Sequence, residues 1–195
     1  AELRNVDESL AKRVADGLAI DLPEKAKAAK EPVDLGTSDA LSIQKQAKNT
    51  LKGRTVGILF AEGSDLAEIK QFKMLIESEG GTPVLVAPKV GGIPVKGGEL
   101  KADAKLDGAP SVLFDGVISI LAPDQAEKLT RNAAAIQWFM DAYAHCKTIA
   151  HCKGTQVLLD RAGIEKDDGV IALEAFAKTG VKRHWAREPK VRDLA

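Results

Sequence analysis

Histidine and cysteine cluster in one short segment, HCKTIAHCK, which runs from His145 to Lys153. Both residue types are soft metal ligands, so a metal site is the first chemistry to consider. Residues 147–151, however, are predicted to form a buried strand, which would hold Cys146 and Cys152 about 20 Å apart at 3.3 Å per residue. At that separation the two thiols can neither bind one tetrahedral ion nor form a disulfide. We therefore predict no metal site, and we place one cysteine at each end of a buried strand.

Cys152 has a position that suits a nucleophile, because it follows a predicted strand and precedes a predicted helix in the sequence AHCKG. A nucleophile elbow has this strand–turn–helix order, and a helix N-terminus favours a thiolate. Glu68 lies in the first turns of the helix that follows the first strand. In a doubly wound sheet both positions lie at the carboxyl ends of neighbouring strands, so Cys152 and Glu68 form the candidate site. The alternative is an inert, buried cysteine and an exposed glutamate, and so short a motif leaves both interpretations open.

The glycine-rich segment 90–100, VGGIPVKGGEL, matches neither the phosphate-binding loop pattern nor the dinucleotide-binding pattern. These glycines are typical of turns, and we predict no cofactor-binding residues among them. Trp138 and Trp185 are interpreted as packing residues.

Composition excludes several classes of function. The chain has 195 residues, with 28 Lys and Arg residues against 28 Asp and Glu residues. A net charge of zero removes the simplest argument for a nucleic-acid partner. The apolar runs are far shorter than the roughly 20 residues of a membrane helix, so we expect no membrane association. The first residues, AELRNVDESLAKRV, contain no apolar signal-peptide core, and we therefore expect a cytoplasmic protein.

Strands and helices are predicted to alternate through most of the chain, with a hairpin inserted over 90–114. This order predicts a flavodoxin-like α/β/α sandwich with a doubly wound, mostly parallel sheet. The predicted strands are 55–60, 82–88, 116–121, 147–151 and 169–173, and the predicted helices are 61–81, 123–145, 154–162 and one that ends near Gly180.

The N-terminal part differs in character. Residues 1–22 are predicted to form one amphipathic helix, because Leu10, Val14 and Leu18 recur at helical spacing after Asp7, a suitable N-cap. Residues 23–51 are rich in Lys, Ala, Glu and Pro and are predicted to form a linker arm with a short helix near its end. The flavodoxin-like domain then occupies 52–195.

Four segments of this domain resemble the C-terminal domain of large-subunit (clade 2) haem catalases: GRTVGILFAEGSDL, DGAPSVLFDGVIS, QWFMDAYAHCKTIA and HWAREPKVRDLA. The segment RNVDESLAKRVADGL resembles the last helix of the catalase body. The resemblance implies a flavodoxin-like fold related to the class I glutamine amidotransferase and PfpI-like superfamily. It also implies that the haem belongs to a separate, preceding β-barrel domain. The haem-binding motifs of that barrel are absent from this sequence, whose only tyrosine is Tyr143.

The resemblance therefore implies an accessory domain that is not an enzyme by itself and holds no cofactor. Its partners would be the catalase body of the same polypeptide, in a homotetramer that decomposes hydrogen peroxide under oxidative stress. The implied role is structural, with a chaperone-like action on unfolded proteins as a second possibility. The rival hypothesis is a small Cys-dependent hydrolase or deglycase of PfpI type. Enzymes of that superfamily carry a cysteine, a glutamate and often a histidine; Cys152 and Glu68 match the first two, while strand alternation is expected to direct His151 to the opposite side.

Overall fold

The computed structural model of the chain describes residues 1–33 and 35–191, which fall into two compact units divided between Gln46 and Ala47. The first unit contains a 3-10 turn and two helices, α1 (Glu8–Gly17) and α2 (Ile43–Gln46), with a second 3-10 turn before α2. The predicted N-cap is confirmed, since the Asp7 carboxylate accepts a 2.7 Å hydrogen bond from the backbone N–H of Leu10. The prediction of one continuous helix over 1–22 is wrong, because the extended backbone of Asp7 interrupts the helical path.

The second unit is built on a six-stranded sheet in which all pairs of neighbouring strands are parallel. The strand order is β5-β2-β1-β6-β7-β8, and it reverses direction between β1 and β6, as a doubly wound sheet requires. The strands of this sheet are β1 (Thr55–Phe60), β2 (Thr82–Ala87), β5 (Ala104–Lys105), β6 (Gly116–Ile120), β7 (Ile149–His151) and β8 (Val170–Ala172). A separate antiparallel hairpin, β3 (Ile93–Val95) and β4 (Gly98–Leu100), confirms the predicted excursion.

Helices cover both faces of the sheet, which confirms the flavodoxin-like α/β/α class. Alternating strand residues such as Ile58 and Leu59 enter two different hydrophobic clusters, so the central strands are buried on both sides. One face packs against α3 (Leu66–Ser78) and α7 (Phe176–Thr179), and the other packs against α4 (Pro123–Leu129), α5 (Ala133–Ala144) and α6 (Gln156–Arg161). The last helix, α8 (Glu188–Val191), closes the described part of the chain.

The prediction of one long helix over 123–145 is wrong, because the chain breaks it into α4 and α5. Asn132 has an extended backbone, and its side-chain oxygen accepts a 3.2 Å hydrogen bond from the N–H of Ala135, so it begins a new helix. The Thr130 hydroxyl group donates to the carbonyl of Glu127 at 2.6 Å and helps to end α4. Such side chains compete with the helical backbone for its hydrogen bonds.

The fourth predicted strand is also shorter than expected, since β7 begins at Ile149 rather than Lys147. Cys146 has a φ of 56° and turns the chain between α5 and β7, so it lies before the strand and not in it. None of the helices described here is both long enough and apolar enough to cross a membrane.

Candidate functional site

Cys152 and Glu68 line the same cleft, which has a volume of about 600 Å³. Cys152 follows the end of β7, and Glu68 lies in the first turn of α3, so both belong to the carboxyl edge of the sheet. The structure thus brings together the two residues that sequence reasoning paired. The other lining residues are His151, Lys153, Gln156, Ala172, Leu173 and Glu174.

The thiol of Cys152 is held by its neighbours. Its sulfur accepts a 3.3 Å hydrogen bond from the backbone N–H of Leu121 and lies 3.3 Å from the carbonyl oxygen of the same residue. A third contact, also at 3.3 Å, joins the sulfur to the hydroxyl oxygen of Thr155. That hydroxyl group is in turn 2.9 Å from the buried hydroxyl group of Ser119. The thiol is therefore positioned by hydroxyl and backbone groups.

The backbone at Cys152 is extended, with φ −75° and ψ 161°. A nucleophile elbow instead holds its nucleophile in a strained turn between strand and helix. Here a 3-10 turn over Lys153–Thr155 makes the bend before α6 begins. Within that turn, a Cβ on Gly154 would lie 2.5 Å from the carbonyl oxygen of Leu121, so only glycine permits this close approach. The strand–turn–helix order is present, whereas the strained nucleophile position is not.

Glu68 is a partly buried carboxyl group. Burial raises the pKa of Glu68, and the nearby carboxylates of Asp65 and Glu174 raise it further. Over the described residues, its carboxyl group makes no hydrogen bond or ion pair. A carboxyl group in this setting holds its proton to higher pH and can donate a hydrogen bond to a neighbour or a ligand.

His151 also lines the cleft, which corrects the expectation that it would lie on the opposite side. It is the last residue of β7, so its side chain lies at the carboxyl edge of the sheet, where the cleft opens. Its Nδ1 is 3.0 Å from the backbone carbonyl oxygen of Cys152 and, in the tautomer that donates, binds that oxygen rather than the sulfur. The cleft therefore contains a thiol, a carboxyl group and an imidazole, but the sulfur has no hydrogen bond to a histidine that could act as its base.

Sequence reasoning missed Glu174, although a signal for it existed. Leu173 and Glu174 directly follow β8, whose carboxyl end is next to that of β7. The carboxyl ends of parallel strands share one edge of the sheet. The reasoning that paired Cys152 with Glu68 therefore applies to the end of β8 as well.

Comparison with known proteins identifies the family of this chain. The family described as "C-terminal domain found in long catalases" matches residues 52–185. The chain belongs to this family. Three relatives match almost the whole chain: Catalase C of Rhizobium meliloti (strain 1021) is 37% identical over 98% of the chain, Catalase HPII of Mycobacterium avium 32% over 92%, and Catalase HPII of Pseudomonas putida 29% over 95%.

This catalase C-terminal domain is only a small part of those relatives. The chain spans 29% of the length of Catalase C and 26–27% of the two HPII proteins. The match extends beyond the flavodoxin-like unit and includes the N-terminal unit, because it covers at least 92% of the chain.

Tyr143, the only tyrosine of the sequence, lacks the setting of a haem ligand. The phenol of Tyr143 is buried, and the guanidinium of Arg187 lies 4.3 Å from the centre of its ring. Burial raises the pKa of Tyr143, which is the reverse of what a phenolate ligand needs. In the described parts of the chain, no three His, Cys, Asp or Glu residues are grouped so that they could hold a metal ion.

Proposed function

We propose that this chain is the non-haem accessory domain of a longer catalase that decomposes hydrogen peroxide, and that its role there is structural. Family membership and the names of the relatives support the catalase assignment. In this proposal the main partner is the catalase body of the same polypeptide, within a homotetramer. The cleft supports a non-catalytic role, because its thiol lacks a general base.

The observation that carries this proposal is the distribution of exposed apolar side chains. Ten of the fifteen large hydrophobic residues that are exposed in the described chain lie in the N-terminal unit of 46 residues. An exposed apolar surface of this kind marks an interaction site. The ten residues are Leu3, Val6, Leu10, Val14, Leu18, Ile20, Val33, Leu35, Leu41 and Ile43.

Helix α1 illustrates the point. Its small residues Ala11 and Ala15 are buried, whereas its larger residues Leu10 and Val14 are 43% and 38% exposed. A folded chain rarely leaves the larger apolar side chains of an amphipathic helix outside while it buries the smaller ones. Complete burial of a leucine or valine contributes about 1.5–3 kcal/mol, so coverage of this helix by a catalase body would stabilise the assembly appreciably.

A paired experiment tests this role. The double variant Leu10→Ser and Val14→Ser is introduced into both the 195-residue chain and the longer catalase polypeptide. In the chain alone we expect almost no change in stability, because both side chains are exposed. In the longer protein we expect a Tm lower by several degrees and partial loss of the tetramer. Lys12→Ser, on the exposed polar side of α1, is the matched control and should change neither protein.

An equal, small effect of the double variant in both proteins would contradict the structural role. A loss of tetramer in the Lys12→Ser control as well would mean that serine in α1 weakens the helix itself.

The same exposed surface favours a second candidate function, a chaperone-like action on unfolded proteins. Exposed apolar side chains can bind the apolar segments that an unfolding client reveals. We expect the 195-residue chain to reduce light scattering by a heat-labile client, and the Leu10→Ser and Val14→Ser variant to reduce it less. If an equal mass of an inert globular protein suppresses scattering as well, this function is to be rejected.

A further inference from the structure

A second cluster of polar groups lies far from the candidate cleft, beneath the C-terminal segment 181–191. This segment is rich in charged residues, yet two of its side chains are buried. His184 is 9% exposed and Arg187 is 2% exposed. Both contact the chain just before β7, so the segment is docked onto the amino ends of the strands.

His184 is held by two hydrogen bonds. Its backbone N–H donates to the carbonyl of Cys146 at 2.7 Å, and its Nε2 is 3.1 Å from the hydroxyl oxygen of Thr148. That hydroxyl group uses its one proton to bind the carbonyl of Lys182 at 3.3 Å. In the tautomer that carries its proton on Nε2, this nitrogen donates to the hydroxyl oxygen of Thr148, and both contacts of that hydroxyl group are then hydrogen bonds.

Gly169 packs against one side of the imidazole ring. A Cβ on Gly169 would lie 2.4 Å from Cδ2 of His184 and 2.1 Å from Nη2 of Arg187, so the glycine is in direct contact with both side chains. The docked position of His184 and Arg187 therefore requires a residue without a side chain at position 169.

The positive charges around His184 oppose the addition of a second proton to its imidazole ring. The guanidinium of Arg187 is the strongest of them, and the ammonium of Lys182 acts in the same direction. The carboxylates of Asp167 and Asp168 act against them, although Asp167 already binds Arg187 through two hydrogen bonds of 2.6 and 2.7 Å. Burial is the largest cause, and together these effects lower the pKa of His184 to about 4.

We propose that residues 181–191 form an acid-released latch, in which protonation of His184 undocks the segment and exposes Cys146 while the sheet stays folded. The thiol of Cys146 lies under this segment, where Arg183, Arg187 and Glu188 are its charged neighbours. Because the imidazole pKa is 6.5 when exposed and about 4 when docked, opening becomes about 30-fold more favourable between pH 7.5 and pH 5.

The other titratable groups of the cluster act outside this window. The pKa of Asp167 is lowered from 3.8 by Arg187, so its protonation affects the latch only in stronger acid. The pKa of Lys147, whose carbonyl binds Arg187, is about 8, so its titration belongs to the alkaline side. His184 is thus the group that titrates when the latch opens between pH 7 and pH 5.

The test measures how fast Cys146 reacts in the full 195-residue chain with Cys152→Ser. The reagent is 4,4′-dithiodipyridine, which remains reactive toward thiols in acid, and each rate is divided by the rate for the urea-unfolded chain at the same pH. We expect the normalised rate to rise by about 30-fold from pH 7.5 to pH 5, with an unchanged circular dichroism spectrum. A rate independent of pH, or one that rises only as the circular dichroism signal is lost, would refute the latch.

Two variants identify the responsible histidine. In His184→Gln the amide can still donate to Thr148 but cannot be protonated, so we expect the acid dependence to disappear. His145→Gln changes an exposed histidine next to the same cysteine and should keep the full dependence. A variant His184→Gln that retains the acid dependence would exclude His184 as the trigger.

A measurement on the unsubstituted chain keeps the proposal testable if His184→Gln fails to fold. We expect the imidazole proton shifts of His184 to stay constant from pH 8 to pH 6 while the segment is docked. A titration of His184 near pH 6.5 with Cys146 still protected would overturn the proposal.

Discussion

The ammonium of Lys147 donates a 2.7 Å hydrogen bond to the backbone carbonyl of Ser111 in the interior of the second unit. The Lys147 side chain is only 2% exposed, and no carboxylate lies within ion-pair distance of it in the described chain. Burial is the main cause that lowers the pKa of Lys147 to about 8, and the positive charge of Arg183 contributes. This contact joins the 3-10 turn over Ser111–Leu113 to the segment just before β7, and it keeps a charge inside the protein at neutral pH.

The contribution of Lys147 to stability should therefore rise in mild alkali. The pKa of Lys147 is about 8 when folded and 10.5 when unfolded, so the unfolded state binds the proton more tightly. The destabilisation by Lys147 has its full size below pH 8 and disappears as the pH rises toward 10.5. The raised pKa values of Cys146 and Tyr143 act in the opposite direction, so the contribution of Lys147 is measured as the difference between the chain and its Lys147→Met variant. We expect this difference in the free energy of unfolding in urea to change by up to about 3 kcal/mol over this range.

Lys147→Met should remove this gain and stabilise the chain at pH 7, because an apolar side chain of similar length needs no desolvation. Lys101→Met, at an exposed position, is the control and should keep the alkaline gain. An alkaline gain that survives in Lys147→Met would assign the effect to another group.

The ion pair between Asp167 and the buried Arg187 should make the stability of the chain sensitive to one substitution. Asp167→Asn removes the carboxylate that two nitrogen atoms of the buried guanidinium bind, and it leaves that charge without a counter-ion. We expect a loss of about 3–5 kcal/mol in the free energy of unfolding, measured in urea at pH 7. Asp168→Asn changes the exposed neighbour and should cost less than about 0.5 kcal/mol. Similar losses in the two variants would show that the buried ion pair is not the cause.

The two cysteines should differ in reactivity. Cys152 is partly exposed in the cleft, whereas Cys146 is buried and its pKa is raised by that burial. Mass spectrometry after limiting iodoacetamide at pH 7.5 should find label first on Cys152, which is also the thiol that we expect to oxidise first. Glu68→Gln should change the rate at Cys152 and leave Cys146 unaffected. Equal labelling, or a preference for Cys146, would contradict the exposure argument.

Hydrolysis of esters and peptides by the chain should remain near background. The sulfur of Cys152 contacts Leu121 and Thr155, while the imidazole of His151 is directed to a backbone carbonyl. A thiol without a hydrogen-bonded base is an incomplete nucleophile. Turnover that Cys152→Ala abolishes would instead support the hydrolase or deglycase hypothesis.

Gly154 should be essential to the shape of the cleft. Gly154→Ala places a methyl group 2.5 Å from the carbonyl oxygen of Leu121, so the turn that carries Cys152 must shift. We expect a destabilisation of about 1–3 kcal/mol and a changed labelling rate at Cys152. Gly91→Ala is the control, because the added methyl group would meet open space there. An unchanged rate in Gly154→Ala would mean that the turn does not position the thiol.

Local patterns were sufficient to predict most of the secondary structure. The run TVGILF became β1, because continuous apolar sequence is typical of a strand buried on both faces. The errors lie where a side chain competes with the backbone. Asn132 divides the long helix, and Asp7 shortens the first one, through hydrogen bonds that apolar periodicity does not report. The pairing of Cys152 with Glu68 could be predicted because the carboxyl ends of parallel strands share one edge of the sheet. The expectation that the two strands are neighbours is wrong, since β6 lies between β1 and β7.

The amino-acid sequence by itself thus determined the doubly wound sheet, the edge at which the cleft forms and the resemblance that the catalase family match confirms. Only the tertiary structure decided which charged residues are buried. Lys147, His184 and Arg187 look like ordinary surface residues in the sequence, yet each is buried. Their hydrogen-bond partners Ser111, Thr148 and Asp167 lie 20 to 36 positions away in the chain. The burial of a charge depends on such distant partners and on the loss of water around it, and neither is encoded in local hydrophobic periodicity.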